Sequence, residues 1–155
     1  MTNPEKPSAI YLTTLLRYYE EEIAGEAFFY ALADHFSERE KTILLARVER
    51  RAAQAIQPLL EKYVLEPRSE SILNREGRSF LDRHKSCNWS EFMAYIIDRY
   101  PGYVDDFRAL EQMAPVADLP ALNKLTEHEI RVIDFAGKEI AGDPDSVDPL
   151  IMYLA

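Results

Sequence analysis

The chain has 155 residues, with 18 lysines and arginines against 27 aspartates and glutamates, for a formal net charge of −9 at pH 7. That length is one domain, 1–155, and about 150 residues bury roughly 68 to 70% of the surface an unfolded chain exposes, enough for a core without disulfides or a structural metal. The lone cysteine, Cys87, excludes a disulfide-framed module and points to a reducing, cytoplasmic setting, while the acidic balance without a basic block excludes nucleic acid as a partner.

The start, Met1 to Ser8, lacks a basic segment leading into an apolar one, so no targeting leader is expected, and no apolar run approaches the roughly 20 residues that span a bilayer. Only 5 residues are glycine, and long stretches lack both Gly and Pro, which selects helices over short, turn-bounded strands. The first helix is predicted over about Ser8 to Phe36 and the second over Glu38 to Tyr63. Between them Ser37-Glu38-Arg39-Glu40 reads as a capping box, so the two form an antiparallel hairpin. Pro58 is expected to kink or end the second helix.

From Val64 to Ser86 the chain is polar and holds Pro67 and Gly77, with a short helix expected only around Ser79 to His84; this reads as a crossover. A third long helix follows Asn88, with Glu91 three residues on, and runs to Met113 with a break or kink at Pro101-Gly102. The fourth begins after Asp118, carries Pro120 in its first turn and stops at Gly142. Ser146 to Ala155 reads as a short C-terminal helix packing Leu150, Ile151 and Leu154 on the rest. Two short-looped hairpins joined by one long connection predict an all-α four-helix bundle.

Helical periodicity then sorts the faces. On the first helix Leu12, Leu15, Leu16, Tyr19, Ile23, Tyr30 and Ala33 share a side, with Glu26 at its centre and Glu22 at its edge. Glu49 falls among Leu45, Val48, Ala52 and Ile56 on the second, whose other side, Arg50 included, reads as solvated. On the third helix Trp89, Phe92, Met93, Ile96, Tyr100, Tyr103 and Phe107 face inward with no central carboxylate, and Arg99 is the nearest basic candidate. On the fourth, Glu129 sits in the middle of Leu122, Leu125, Val132, Ile133, Ala136 and Ile140, and His128 at the margin could turn inward. An ionised carboxylate in an apolar core is costly, so these acids must be protonated, hydrogen-bonded, paired or bound to metal. His35 and His84 are expected at the surface and Cys87 inert, and Gly25 reads as either a close-approach point or neutral.

The Tyr18-Tyr19-Glu20-Glu21-Glu22-Ile23-Ala24-Gly25-Glu26 stretch, the Glu49 stretch and His128-Glu129 with Phe135-Ala136 resemble the ferritin-like superfamily, the rubrerythrin and ferritin group of di-iron bundles. The resemblance implies the ferritin-like four-helix bundle with its long crossover between the second and third helices. It also implies a Glu from each of two helices plus Glu-x-x-His from the other two. Glu26, Glu49 and Glu129 match three of those ligands, but Ala52 and Val132 stand where the motif histidines belong, and Tyr100 or Tyr103 replaces the third helix's Glu. The ligand set is incomplete. With Glu22 and His128 added, the candidate metal residues are Glu22, Glu26, Glu49, His128 and Glu129, an oxygen-rich set suited to one or two iron or manganese ions. Two functions stay open at this point: a metal-dependent protein, with O₂ or peroxide as the partner the resemblance implies, or a metal-free bundle acting as a ligand-binding or protein-interaction module, with a homodimer as a possible assembly.

Overall fold

A computed structural model describes residues 6–155; of the predicted leader-free start, Met1 to Glu5 lie outside the described residues. The described chain is all-helical, with six α-helices: α1 (Ala9–Ala33), α2 (Arg39–Lys62), α3 (Glu70–Ser79), α4 (Trp89–Met113), α5 (Leu119–Ile140) and α6 (Asp148–Leu154). No described helix is long and apolar enough to cross a membrane.

Four long helices surround the core, each packing on its neighbours in the cyclic order α1, α2, α5, α4. Two acids, one buried and one half-buried, fix their directions. Asp118, just before α5, accepts hydrogen bonds from the Tyr11 hydroxyl at the start of α1 (2.7 Å) and from Tyr63 (2.6 Å) and Lys62 (2.8 Å) at the end of α2. At the far end of α5, Glu139 accepts from Lys41 at the start of α2 (2.8 Å) and from the indole of Trp89 at the start of α4 (2.9 Å). Helices α1 and α5 therefore run one way, α2 and α4 the other, and the crossover from α2 to α4 travels the full length of the molecule.

Asn88 and Glu91 form the expected capping box of α4. The one proposed at Ser37 does not form: α2 starts at Arg39 with Glu38 in the cap position, and the Ser37 hydroxyl is spent on the Glu38 carboxylate at 3.0 Å. Neither Pro58 nor Pro101 ends its helix. Both prolines are exposed, as are Gln54 and Ile97, the residues whose carbonyls lose their partners, so water can satisfy those groups.

The crossover is more ordered than its composition suggests. Ser69 caps α3 by accepting from the Ile72 amide, and a 3-10 turn, Phe80–Arg83, continues from it. Only Leu73 and Gly77 of α3 are buried, too few to leave a readable period. A Cβ at Gly77 would come within 2.8 Å of the Ala24 carbonyl carbon and closer still to its oxygen, so α3 lies directly on the back of α1. His84, expected at the surface, is buried, its ring centroid 5.4 Å from Phe28, 5.3 Å from Phe92 and 4.8 Å from Tyr95. Tyr30, Tyr103, Ile140 and Ile151, expected to face inward, are instead exposed. In α6 it is Leu150 and Tyr153 that are buried, and Tyr153 donates its hydroxyl to the Lys124 carbonyl at 2.8 Å, fastening α6 to α5.

Candidate metal site

Midway between the Asp118 and Glu139 anchors, three helices send polar side chains into the core. Glu22 of α1, Glu49 of α2, and His128 and Glu129 of α5 are all buried. His128 Nε2 lies 3.0 Å from Glu22 Oε2, 3.3 Å from Glu49 Oε2 and 2.7 Å from Glu129 Oε1. One ligand atom from each of Glu22, Glu49 and His128 can be chosen so that all lie within 4.8 Å of one another.

His128 is turned inward by its other nitrogen. Nδ1 faces the Leu125 carbonyl one turn back. A carbonyl can only accept, so Nδ1 carries the proton and Nε2 presents either a lone pair or a second proton to the carboxylates. None of the three close approaches to Nε2 has hydrogen-bond geometry, and Nε2, Glu22 Oε2 and Glu129 Oε2 are buried without a partner. Unsatisfied buried atoms are costly, and two of them, Nε2 and Glu22 Oε2, belong to residues whose ligand atoms with Glu49 are close enough together to serve one cation.

The charges agree with that reading of the geometry. Burial pushes the Glu49 carboxyl well above the usual carboxylate range, Glu22 adds to the rise and His128 only partly offsets it. Burial likewise raises Glu129, against the opposing effect of His128. For His128 burial favours the neutral ring, but Glu22 and Glu129 outweigh it and hold the imidazole well above its ordinary value. The cluster thus holds on to protons wherever no other cation is supplied, and a metal would enter by displacing them. Tyr100, buried beside the cluster, is kept protonated by its burial and by Glu129 and Glu49.

Of the five candidate ligands, Glu22, Glu49 and His128 make up the group close enough for one ion, Glu129 touches it through His128 Nε2, and Glu26 does not join the site. The Glu26 carboxylate is gripped by Arg50, whose Nη2 and Nε lie 2.8 Å and 2.9 Å from the two oxygens, and Arg50 also reaches Glu70 of α3 at 2.7 Å. Arg50 is correspondingly not a solvated residue, and Arg99 faces out beside Asp98. The cause is α3: it buries the Ala24, Ala27 and Phe28 side of α1, so this helix is apolar around most of its circumference and its sequence does not mark which side faces the other long helices. The 40° that separates positions four apart in a helix puts Glu22 in the core and Glu26 against α2 and α3. Gly25 also has a use: a Cβ there would stand 3.2 Å from Glu49 Cδ, so its absence gives the Glu49 carboxyl room.

The site is reachable. A cavity of about 510 Å³ opens between α1 and α4, which touch only sparsely, and its floor includes Glu22, Glu49 and Glu129. Nothing in the sequence signalled this opening, because it arises from the spacing of two helices held apart by aromatic rings. Comparison with known proteins adds no name to the site: no family model, no curated protein and no solved structure matches the chain.

Proposed function

We propose that this chain is a divergent ferritin-like metalloprotein that holds one iron or manganese ion on Glu22, Glu49, Glu129 and His128. The observation that carries the reading is the convergence of three buried carboxylates on His128 Nε2 with Nε2, Glu22 Oε2 and Glu129 Oε2 unpartnered. Three oxygen ligands and one imidazole suit Mn or Fe better than Zn, and the Leu125 carbonyl orients the imidazole as outer partners do for metal-binding histidines. Supporting the fold assignment is the arrangement of directions, with two neighbouring hairpins joined by one full-length crossover, as ferritin-like bundles have. The ion would supply Lewis acidity or one-electron redox chemistry at the cavity floor. The residues that would hold it are buried, and the cavity lined by Glu22, Glu49 and Glu129 leaves a route for a small molecule.

A second reading rests on the 2.7 Å ion-pair contact between His128 Nε2 and Glu129 Oε1. In that reading protons fill the site and the bundle is a metal-free binding module. Thermal melts of wild type and Glu129→Leu, with Mn²⁺ and with chelator, separate the two. On the metal reading, Mn²⁺ at about 100 times its Kd stabilises the wild type by about 2.7 kcal/mol, and Glu129→Leu loses most of that increment. A wild-type melt indifferent to Mn²⁺ and Fe²⁺, with Glu129→Leu more stable than wild type, supports the proton-filled site, since an apolar side chain removes the cost of burying the acid.

A further inference from the structure

The metal reading uses only the floor of the cavity between α1 and α4, and the outer walls have a chemistry of their own. They are built of aromatic rings. Tyr18 and Phe107 meet edge to face at 5.1 Å, and Tyr100 lies 5.2 Å from Tyr103 and 6.4 Å from Tyr95. Tyr103 is 44% exposed, so this wall extends to the mouth.

Between the rings the wall is acidic. Three arginines line it, and each is engaged. Arg68 lies 3.1 Å from Glu20 and 2.7 Å from Glu76. Arg17 sits 3.8 Å from Glu21 and stacks over the Tyr18 ring at 5.2 Å, and the Arg83 guanidinium lies over the Phe80 ring at 5.0 Å. Asp106 lines the same wall with no ion-pair partner among the described residues, and the unpartnered oxygens of Glu22 and Glu129 lie at the floor. An anion entering here would meet carboxylates from the mouth to the floor. A cation would meet carboxylates and the negative faces of the tyrosine rings.

We propose that this cavity binds an organic cation, an alkyl- or arylammonium whose nitrogen rests against the Tyr103 ring beside Asp106, the carboxylate the arginines leave free, with its apolar body lying inward along Tyr100 and Phe107. The aromatic walls supply both the apolar contact and the cation–π attraction that selects an ammonium over a neutral molecule of the same shape. The proposal stands on the outer half of the cavity and so holds with or without an ion at the floor.

The test is isothermal titration of the full chain with benzyltrimethylammonium, benzyl alcohol and benzoate, in chelator and again with Mn²⁺. The cation is expected to bind about tenfold more tightly than either other probe, in both conditions, and more tightly at low salt. Asp106→Asn is expected to remove about that tenfold preference and to leave benzyl alcohol binding unchanged. The Asp106 side chain is exposed, so the variant should fold, which an unchanged far-UV spectrum verifies. Benzoate binding as tightly as the cation, an unchanged cation affinity in the variant, or no binding of any probe would overturn the proposal. Loss of cation binding on adding Mn²⁺ would overturn it as well, by moving the cation to the floor. A protein that ignores Mn²⁺ but selects the cation would instead sink the metal reading alone.

Discussion

Two glycines in helix interiors give opposite answers to the same substitution. Ala is the better helix former by about 1 kcal/mol at an exposed helical position. Gly102 in α4 has nothing within 4 Å of where a Cβ would stand, so Gly102→Ala should keep that gain and stabilise the protein by about 0.5 to 1 kcal/mol. At Gly77 the same atom would lie 2.8 Å from the Ala24 carbonyl carbon, and what it meets is backbone, which cannot rotate aside. Helix α3 must withdraw from α1, and such overpacking costs about 1 to 3 kcal/mol before the propensity gain is subtracted. Subtracting that gain leaves a net loss of up to about 2 kcal/mol, and with a urea slope of about 2 kcal/mol/M the midpoint should fall by up to about 1 M. Gly25→Ala should fall between the two, because its neighbour is the movable carboxyl of Glu49. Urea unfolding followed by far-UV circular dichroism on the three variants ranks them directly. Finding Gly77→Ala as stable as Gly102→Ala would show that α3 does not dock on α1 in this register, and would remove the reason given for the displacement of Glu26.

Two further outcomes follow from the anchors and the site. Burial pushes the Asp118 carboxyl up, but hydrogen bonds from Lys62, Tyr63 and Tyr11 outweigh it and hold it below its ordinary value. Its stabilisation is therefore complete above the unfolded-state value near 3.9 and is lost as pH falls through the lower folded value; Asp118→Asn should cost about 2 kcal/mol near pH 7, and the gap to wild type should close in acid melts. An Asn variant equal to wild type at pH 7 would mean the three donors do not converge on this side chain. On the proposed metal reading, oxidation of added Fe(II) by O₂ or peroxide should be slow, because one imidazole and its neighbouring carboxylates would hold one ion rather than the pair that two-electron chemistry uses; rapid stopped-flow oxidation of two irons per chain, abolished by Glu49→Ala, would contradict this.

Periodicity alone was enough for the four long helices, the crossover and the central placement of Glu49 and Glu129, because α2 and α5 each bury one stripe and solvate the other, and a stripe of 3.6-residue period is a local property of the chain. The cap at Asn88 was legible for the same reason: donor and acceptor lie three residues apart. What only the tertiary structure decided is whatever depends on a second partner. Helix α3 docks through only Leu73 and Gly77, too small a signal to read, and by covering the back of α1 it erases the polarity that would have told Glu22 from Glu26. His84 is drawn inward by Phe28, Phe92 and Tyr95, which come from two other helices. His128 stood at the margin of its helical wheel, and its burial follows from α6 closing over α5, with the Tyr153 ring 6.3 Å away. Local spacing fixes which side chains share a face of one helix. Which faces become interior, and which acids meet one imidazole there, is settled by long-range packing of faces that no local window of sequence contains.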